Sequence, residues 1–262
     1  MKNCLAVLIL LMLSACGAGQ YGTSYRAYID PMTASDVIRL GEKQKPIIIP
    51  SSDLNRTVRS YREHNYIVVG ESAFNGVQES TDNAMRQAEE IGATHVVVSS
   101  EFTDTQSQIA YDYQDFYRTI YVHKVKTVDG KQVYYSEAVT VHDTVSVPYT
   151  RYYNNFNQWA VYLVQSLKPR KLGLMLVDLD AKLRSEIGRN TGAYIDLVLE
   201  SSPAFFANIM AQDVLIGING TEILNKSQAQ TLIDQLDISG KTIIVTVLHE
   251  GKRKDISLEF YK

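Results

Sequence analysis

Lys171-Leu172-Gly173-Leu174-Met175-Leu176 opens a C-terminal stretch that passes through Ser201-Ser202-Pro203 and Asp213-Val214-Leu215-Ile216-Gly217-Ile218-Asn219-Gly220 and runs to Lys262. The residues punctuate it clearly. Leu174 to Val177 reads as a strand, and Asp180 caps a short helix that ends before Gly188. Ala193 to Leu199 is a second strand. Ser202 then caps and Pro203 starts another short helix, the positions where each residue is favoured. Asp213 to Ile218 is a strand closed by Asn219-Gly220, a preferred hairpin dipeptide. Asn225 to Leu236 has helical spacing, with Ala229, Leu232, Ile233 and Leu236 apolar. Two further β-type runs, Ile243 to Leu248 and Ile256 to Phe260, flank Glu250-Gly251.

This order of elements, from 171 to 262, resembles a PDZ domain of the circularly permuted bacterial type found in periplasmic proteases. The resemblance implies a β-barrel capped by helices that takes an extended peptide as an added strand. It implies that Leu172 and Gly173 lie in the loop that receives a peptide's C-terminal carboxylate, where glycine lets the backbone approach closely. Leu174, Met175 and Leu176 then belong to the strand that pairs with the peptide. The Asn225 helix forms the other wall, with Ser227 or Gln228 as its first groove-facing position and Leu232 and Leu236 further along. A groove lined by Leu174, Leu176, Leu232 and Leu236 favours an apolar last residue. Histidine is absent from the first helix position, so a Ser/Thr preference two residues before the ligand's end is not implied. Two positions depart from the family pattern: Asn208 and Gln212 stand where related domains carry glycine in the turn before the Asp213 strand.

Working outward, Lys168-Pro169-Arg170-Lys171 is the linker to a preceding α/β domain over 46–167. Pro46-Ile47-Ile48-Ile49-Pro50 reads as a short or edge strand. Ser52 or Asp53 caps a helix carrying Leu54, Val58 and Tyr61, and Asn65 stops it. Tyr66 to Gly70 is a buried strand. Ser80-Thr81-Asp82 starts a helix with Ala84, Ala88 and Ile91 on one stripe, ended by Gly92. Thr94 to Val98 is the next strand. Beyond Phe102 come two long β-type runs, Ile109 to Val125 and Lys131 to Val147, joined by a hairpin signal at Asp129-Gly130. Tyr149 to Asn157 reads as a polar loop, and Gln158 to Val164 as a returning strand. The fold class is therefore α+β: a small α/β domain with a long β-hairpin extension, then the PDZ-like domain. The pairing of Tyr66 to Gly70 with Gly92 to Val98 resembles uncharacterised bacterial lipoproteins that also end in a PDZ domain, and it implies no activity.

The N-terminus has its own logic. Lys2 precedes an uninterrupted apolar run from Leu5 to Leu13, too short to span a bilayer but suited to a signal-peptide core. Leu13-Ser14-Ala15-Cys16 is similar to the bacterial lipobox, which implies cleavage before Cys16 and lipidation of its thiol. Residues 1–15 are then a signal peptide and 16–45 a lipid-anchored flexible leash. Gly17 implies sorting to the outer membrane, facing the periplasm. Removing residues 1–15 takes away Lys2 and no acid, so the formal charge of −3 becomes −4.

Composition excludes several functions. The charge is mild and scattered, which is no footprint for nucleic acid. The two cysteines are Cys4 and Cys16, so the body of the chain has neither disulfide nor thiolate metal site. Neither a Gly-x-Ser-x-Gly nor a Gly-Asn-Ser-Gly-Gly stretch is present for a serine hydrolase. Asp143-Thr144-Val145 lacks the glycine of an aspartic-protease loop and reads as strand. The five histidines have no paired ligand spacing, although His123 and His142 could face each other across the hairpin. The expectation is a non-catalytic protein without cofactor or metal. It is read as an envelope adaptor or sensor for peptide segments or protein C-termini, with an envelope protease and the membrane, through its lipid, among its partners. The competing reading is a structural envelope lipoprotein that works through a Tyr-rich β-surface at Tyr111, Tyr113, Tyr117 and Tyr121, its PDZ groove covered by the chain itself. A hydrolase would require a His/Asp/Glu cluster in the middle domain.

Overall fold

A computed structural model of the chain describes residues 19–168, 170–239 and 242–260. The signal-type run, Cys16 and the linker's Pro169 lie outside the described residues. Two compact units emerge, one made of Asn75–Gln78 and Glu101–Asn157 and the other of the remaining chain.

The N-terminal part of the larger unit is a sheet with a helix on each face. Its elements are α1 (Gly19–Thr23), β1 (Tyr25–Ala27), β2 (Val37–Ile38), β3 (Ile47–Pro50), α2 (Leu54–Glu63), β4 (Tyr66–Val77), α3 (Thr81–Ile91), β5 (His95–Val128) and β6 (Lys131–Ser166). The strand order is β1-β4-β6-β5-β3, with β2 on β6; β3 and β5 are parallel, Ile47 opposite His95. Side chains alternate between faces along a strand. Val96, Val98, Ala160, Tyr162 and Val164 therefore meet Ala84 and Ala88 of α3. Val97, Val161 and Leu163 meet Leu54, Val58 and Tyr61 of α2 on the opposite face. The caps explain where the helices start. Asp53 accepts from the Arg56 N–H and Ser80 from the Asp82 N–H, while Gly92 ends α3 at φ 75°.

Two sequence expectations are corrected here. Residues 19–45 are not a leash: Tyr21 and Val37 are 2% and 8% exposed, and β1 pairs with β4 and β2 with β6. The buried Ser72 hydroxyl donates to the Tyr21 carbonyl at 2.6 Å, which fixes this segment to the sheet. Nor is Tyr149 to Asn157 a loop, since all of it belongs to β6. Its one buried residue is the polar Asn155, so no apolar alternation betrays the strand.

The smaller unit is a two-stranded ribbon. Asp129 (φ 49°) and Gly130 (φ 76°) make the type I′ turn that suits the twist of a hairpin. Pairs equidistant from that turn meet across it: Ser136 with His123 at 2.8 Å and Thr105 with Asn154 at 2.8 Å. Tyr117 stacks on His142, whose Nε2 is 2.9 Å from Asp115. His123 and His142 therefore do not face each other, because the two-residue turn gives each a different partner. Arg118 pairs with Asp143, and Lys124 with Glu137. Within this unit only Asn155 is buried.

The C-terminal part of the larger unit comprises β7 (Leu174–Asp178), α4 (Ala181–Ile187), β8 (Ala193–Val198), α5 (Pro203–Phe206), β9 (Val214–Ile218), β10 (Thr221–Glu222), α6 (Lys226–Gln235), β11 (Ile243–His249) and β12 (Lys252–Leu258). The order is β12-β11-β9-β8-β7, with β10 on β9, an open path among the described residues. Its core joins Leu172, Leu174, Leu176, Ile195, Leu215, Ala229, Ile233 and Val245. Asp180, Ser202 and Asn225 each cap a helix through a side-chain oxygen. Asn208 and Gln212 adopt φ 56° and 77°. The turn thus keeps a glycine-type backbone without glycine, at a cost of about 1–2 kcal/mol for Gln212. The Gln212 N–H is held by the Ile195 carbonyl at 2.8 Å.

A polar seam joins α2 to β8. Met175 lies opposite Leu197 and Leu176 opposite Ile195, so Asp196 is the extra residue of a bulge. Freed from the ladder, its carbonyl accepts from Arg59 Nη2 at 3.0 Å and its carboxylate pairs with Arg62 at 2.8 Å. The Glu200 N–H donates to the Glu63 carbonyl at 2.9 Å.

Candidate functional site

The site is built around Gly173. Its φ of +79° is a left-handed conformation, and a Cβ there would lie 2.0 Å from Ser202 Cβ. Glycine alone fits. The loop is tied down on both sides of it. The Gly173 N–H donates to the Arg170 carbonyl at 3.0 Å, Leu199 N–H to the Gly173 carbonyl at 2.7 Å, and Ala204 N–H to the Leu172 carbonyl at 3.0 Å. These bonds hold the loop against the first turn of α5.

From this loop β7 runs out as the last strand of its sheet. One edge pairs with β8, and the other carries no strand among the described residues. Helix α6 lies alongside β7 and runs the opposite way. At its start the Lys226 N–H donates to Asp178 Oδ1 at 3.0 Å, at the far end of β7. At its end Lys171 Nζ donates to the Asp234 carbonyl and to the Leu236 carbonyl at 2.8 Å. A cation satisfying the last carbonyls of a helix also complements the helix dipole. Strand and helix are thus fastened at both ends and leave a groove between them.

A small cavity closes the loop end of the groove. Leu172, Leu174 and Ile233 supply its apolar lining, Gly173 its base and Gln230 its helix side, while Lys168, Arg170 and Lys171 surround it with cations. Arg170 is the cation of this cavity whose charge is disfavoured by its surroundings. Burial, and then the neighbouring Arg62 charge, hold its guanidinium below the usual arginine range. Its Nε is buried without a hydrogen-bond partner. A desolvated cation with an unfilled donor is a natural receptor for a carboxylate.

The residues expected from sequence are distributed as follows. Leu172, Gly173 and Leu174 come together at the cavity. Leu174 and Leu176 are 4% and 6% exposed, so they form the groove's floor as part of the core, while Met175 is half-buried. Leu232 and Leu236 pack against that same core. Gln228 is engaged elsewhere: its amide accepts from the Leu224 N–H at 2.7 Å and donates to the Glu222 carbonyl at 3.2 Å. Positions 228 and 230 differ by about 200° around a helix, so Gln230 takes the place beside the cavity. Sequence reasoning missed Gln230 and Ile233, and it treated Lys168, Arg170 and Lys171 as linker alone. The phase of α6 held the signal, since Ala229 and Ile233 are buried one turn apart and Gln230, next to Ala229, borders the cavity with Ile233.

Elsewhere, His249 Nδ1 lies 2.7 Å from Asp213 Oδ1, and Asp213 Oδ2 accepts from the Met210 N–H at 3.1 Å. This pair, with Asp213 buried and His249 partly exposed, braces the turn before β9. No group of three or more His, Cys, Asp or Glu among the described residues is arranged to hold a metal ion.

Comparison with known proteins places the domain. The PDZ domain family matches residues 170–260, and this segment is a PDZ domain. A "probable serine protease do-like" protein of Buchnera aphidicola subsp. Acyrthosiphon pisum (strain APS) is 33% identical over 91 residues, 34% of this chain. The chain covers 19% of that relative's length. Among solved structures, the HtrA-type protease AlgW with decapeptide aligns over 38% of this chain and 36% of its own, at 16% identity and TM-score 0.31. The HtrA3 PDZ domain bound to a phage-derived ligand (FGRWV) aligns over 35% of this chain and 84% of its own, at 19% identity and TM-score 0.31.

Proposed function

We propose that the protein is a non-catalytic, lipid-anchored component of the bacterial cell envelope that captures the C-termini of peptides or proteins in its PDZ groove. The ligand adds as a strand to the free edge of β7. Its last side chain enters the cavity over Leu172, Leu174 and Ile233, and its carboxylate meets Lys168, Arg170 and Lys171. The observation that carries this reading is the coincidence of an unpaired strand edge with a cation-ringed cavity at one end. The cavity is small, which favours a compact apolar last residue. The anchoring rests on the Leu5-to-Leu13 run and Cys16, and an outer-membrane position facing the periplasm rests on Gly17.

A titration of the full chain with peptide pairs differing only in a free or amidated C-terminus tests the groove. The free acid should bind at least about tenfold tighter, the scale of a charge-assisted hydrogen bond of 1.5–3 kcal/mol. Equal affinity for the two forms would contradict carboxylate capture. For the anchor, Cys16→Ser should move the chain from the membrane to the soluble fraction. A membrane-bound Cys16→Ser chain would remove the lipid from the proposal.

A second reading, a structural protein acting through its Tyr-rich β-surface, is favoured by one observation: Tyr111, Tyr113, Tyr117 and Tyr121 are all exposed on the ribbon. Loss of partners on replacing Tyr111 and Tyr117, with the groove dispensable, would support it.

A further inference from the structure

The ribbon of the smaller unit lacks what normally stabilises a hairpin. A two-stranded hairpin is marginal by itself in water and needs a further strand or a packed face. Here both faces are open and nearly every side chain is exposed. The two edges are not equivalent. β6 carries Pro148, a residue that blunts an edge, whereas β5 contains neither proline nor glycine through its 34 residues. β3 covers β5 only from His95 to Val98, so the outer edge beyond Val98 carries no strand among the described residues.

Charge is segregated along that edge. From Glu101 onward the acids Glu101, Asp104, Asp112 and Asp115 all precede the bases Arg118, Lys124 and Lys126. Such a strand complements itself when reversed. We propose that β5 pairs antiparallel with β5 of a second copy of this chain, about a two-fold axis at Asp115. This is an isologous contact, in which one edge serves both copies. It sets Asp104 opposite Lys126 and Asp112 opposite Arg118, twice over. It also sets Tyr113 opposite Tyr117 and Ile109 opposite Tyr121. Cross-strand aromatic and opposite-charge pairs are the stabilising units of a sheet. The acids are available for it, since Asp104 and Asp112 hold no cation within their own ribbon; Lys126 lies over the Tyr135 ring. Arg118, already paired with Asp143, becomes the centre of an acid-base-acid network, while Lys124 keeps Glu137 and lies opposite Gln106. The two Asp115 carboxylates meet at the axis, each beside its own His142.

The edge strand carries large exposed side chains: Tyr111, Tyr113, Tyr117 and Tyr121 are 60–72% exposed, Ile109 63% and Phe116 56%. Backbone pairing along the edge and the cross-strand pairs named carry the contact. This inference stands on the smaller unit alone and is independent of peptide capture.

The test uses the full chain in detergent with Cys4 and Cys16 replaced by serine, which leaves no other thiol. Sedimentation should show a dimer. Arg118→Glu/Lys124→Glu/Lys126→Glu and, separately, Asp104→Lys/Asp112→Lys should each weaken self-association at least about tenfold, and mixing the two variants should restore a dimer. Recovery on mixing excludes misfolding as the cause of the loss. In the register proposed, Asp115→Cys forms a disulfide with its own copy on oxidation, while Thr127→Cys does not. A parent chain that stays monomeric, charge variants that dimerise like the parent, or equal cross-linking at Thr127→Cys would each overturn the proposal.

Discussion

Gly173→Ala is expected to abolish peptide capture and to destabilise the PDZ domain by about 3 kcal/mol. Two costs combine. A left-handed backbone at an L-residue costs about 1–2 kcal/mol, and forcing a methyl group into a filled site costs about 1–3 kcal/mol. The added Cβ would lie 2.0 Å from Ser202 Cβ and 2.1 Å from Ser202 Oγ, so one of the two segments must move. Movement breaks the bonds from Leu199 and Ala204 that hold the loop to α5. Denaturant unfolding of the full chain measures the stability loss, and the peptide titration measures the binding loss. Ser202→Gly in the same chain should recover part of the stability, since it removes the obstacle while weakening the N-cap by only a few tenths of a kcal/mol. An unaltered unfolding midpoint in Gly173→Ala would show that the loop is not packed as described.

Arg170→Glu should do the opposite with respect to stability. Arg170 is burdened by burial and by Arg62. Reversing its charge replaces a repulsion with an attraction, so the unfolding midpoint should hold or rise. Binding of free-acid peptides should fall about 10- to 150-fold, the equivalent of losing a charge-assisted bond of 1.5–3 kcal/mol. Binding of amidated peptides should change little. The two changes therefore couple in a double-mutant cycle, and peptide amidation should cost nothing further once Arg170 is gone. A loss that is equal for acid and amide would place Arg170 outside the carboxylate's reach. Lys171 serves less well for this purpose, because its ammonium also holds the end of α6.

Much of this architecture could be read from local chemistry. Asp53, Ser80, Ser202 and Asn225 announce helix starts, and Gly92, Asp129-Gly130 and Asn219-Gly220 announce stops and turns, because each satisfies a backbone requirement that few residues meet. The PDZ order followed from those signals together with the apolar runs between them. Three features were not legible. Tyr21 and Val37 tie residues 19–45 into the sheet as single anchors, and an isolated buried residue leaves no periodic trace. The segment from Tyr149 to Asn157 is strand whose one buried residue is the polar Asn155, so its polarity imitated a loop. Within the site, the expected helix positions were Gln228, Leu232 and Leu236, whereas Gln230 and Ile233 border the cavity. A shift of two residues turns a helix by more than half a revolution, and only the packing of Ala229 and Ile233 fixes that phase. The setting of Arg170 was hidden for a different reason: the charge beside it, Arg62 of α2, lies more than a hundred positions earlier in the chain.

The most direct measurement of the central claim is amide hydrogen exchange across β7 with and without a bound free-acid peptide. Strand addition predicts that amides of Leu174 to Asp178 facing the free edge gain protection in alternation, as an antiparallel ladder requires. The Arg59–Arg62 stretch of α2 should be unchanged. Protection confined to the cation-ringed cavity, or none along β7 with peptide demonstrably bound, would contradict capture of the ligand as an added strand.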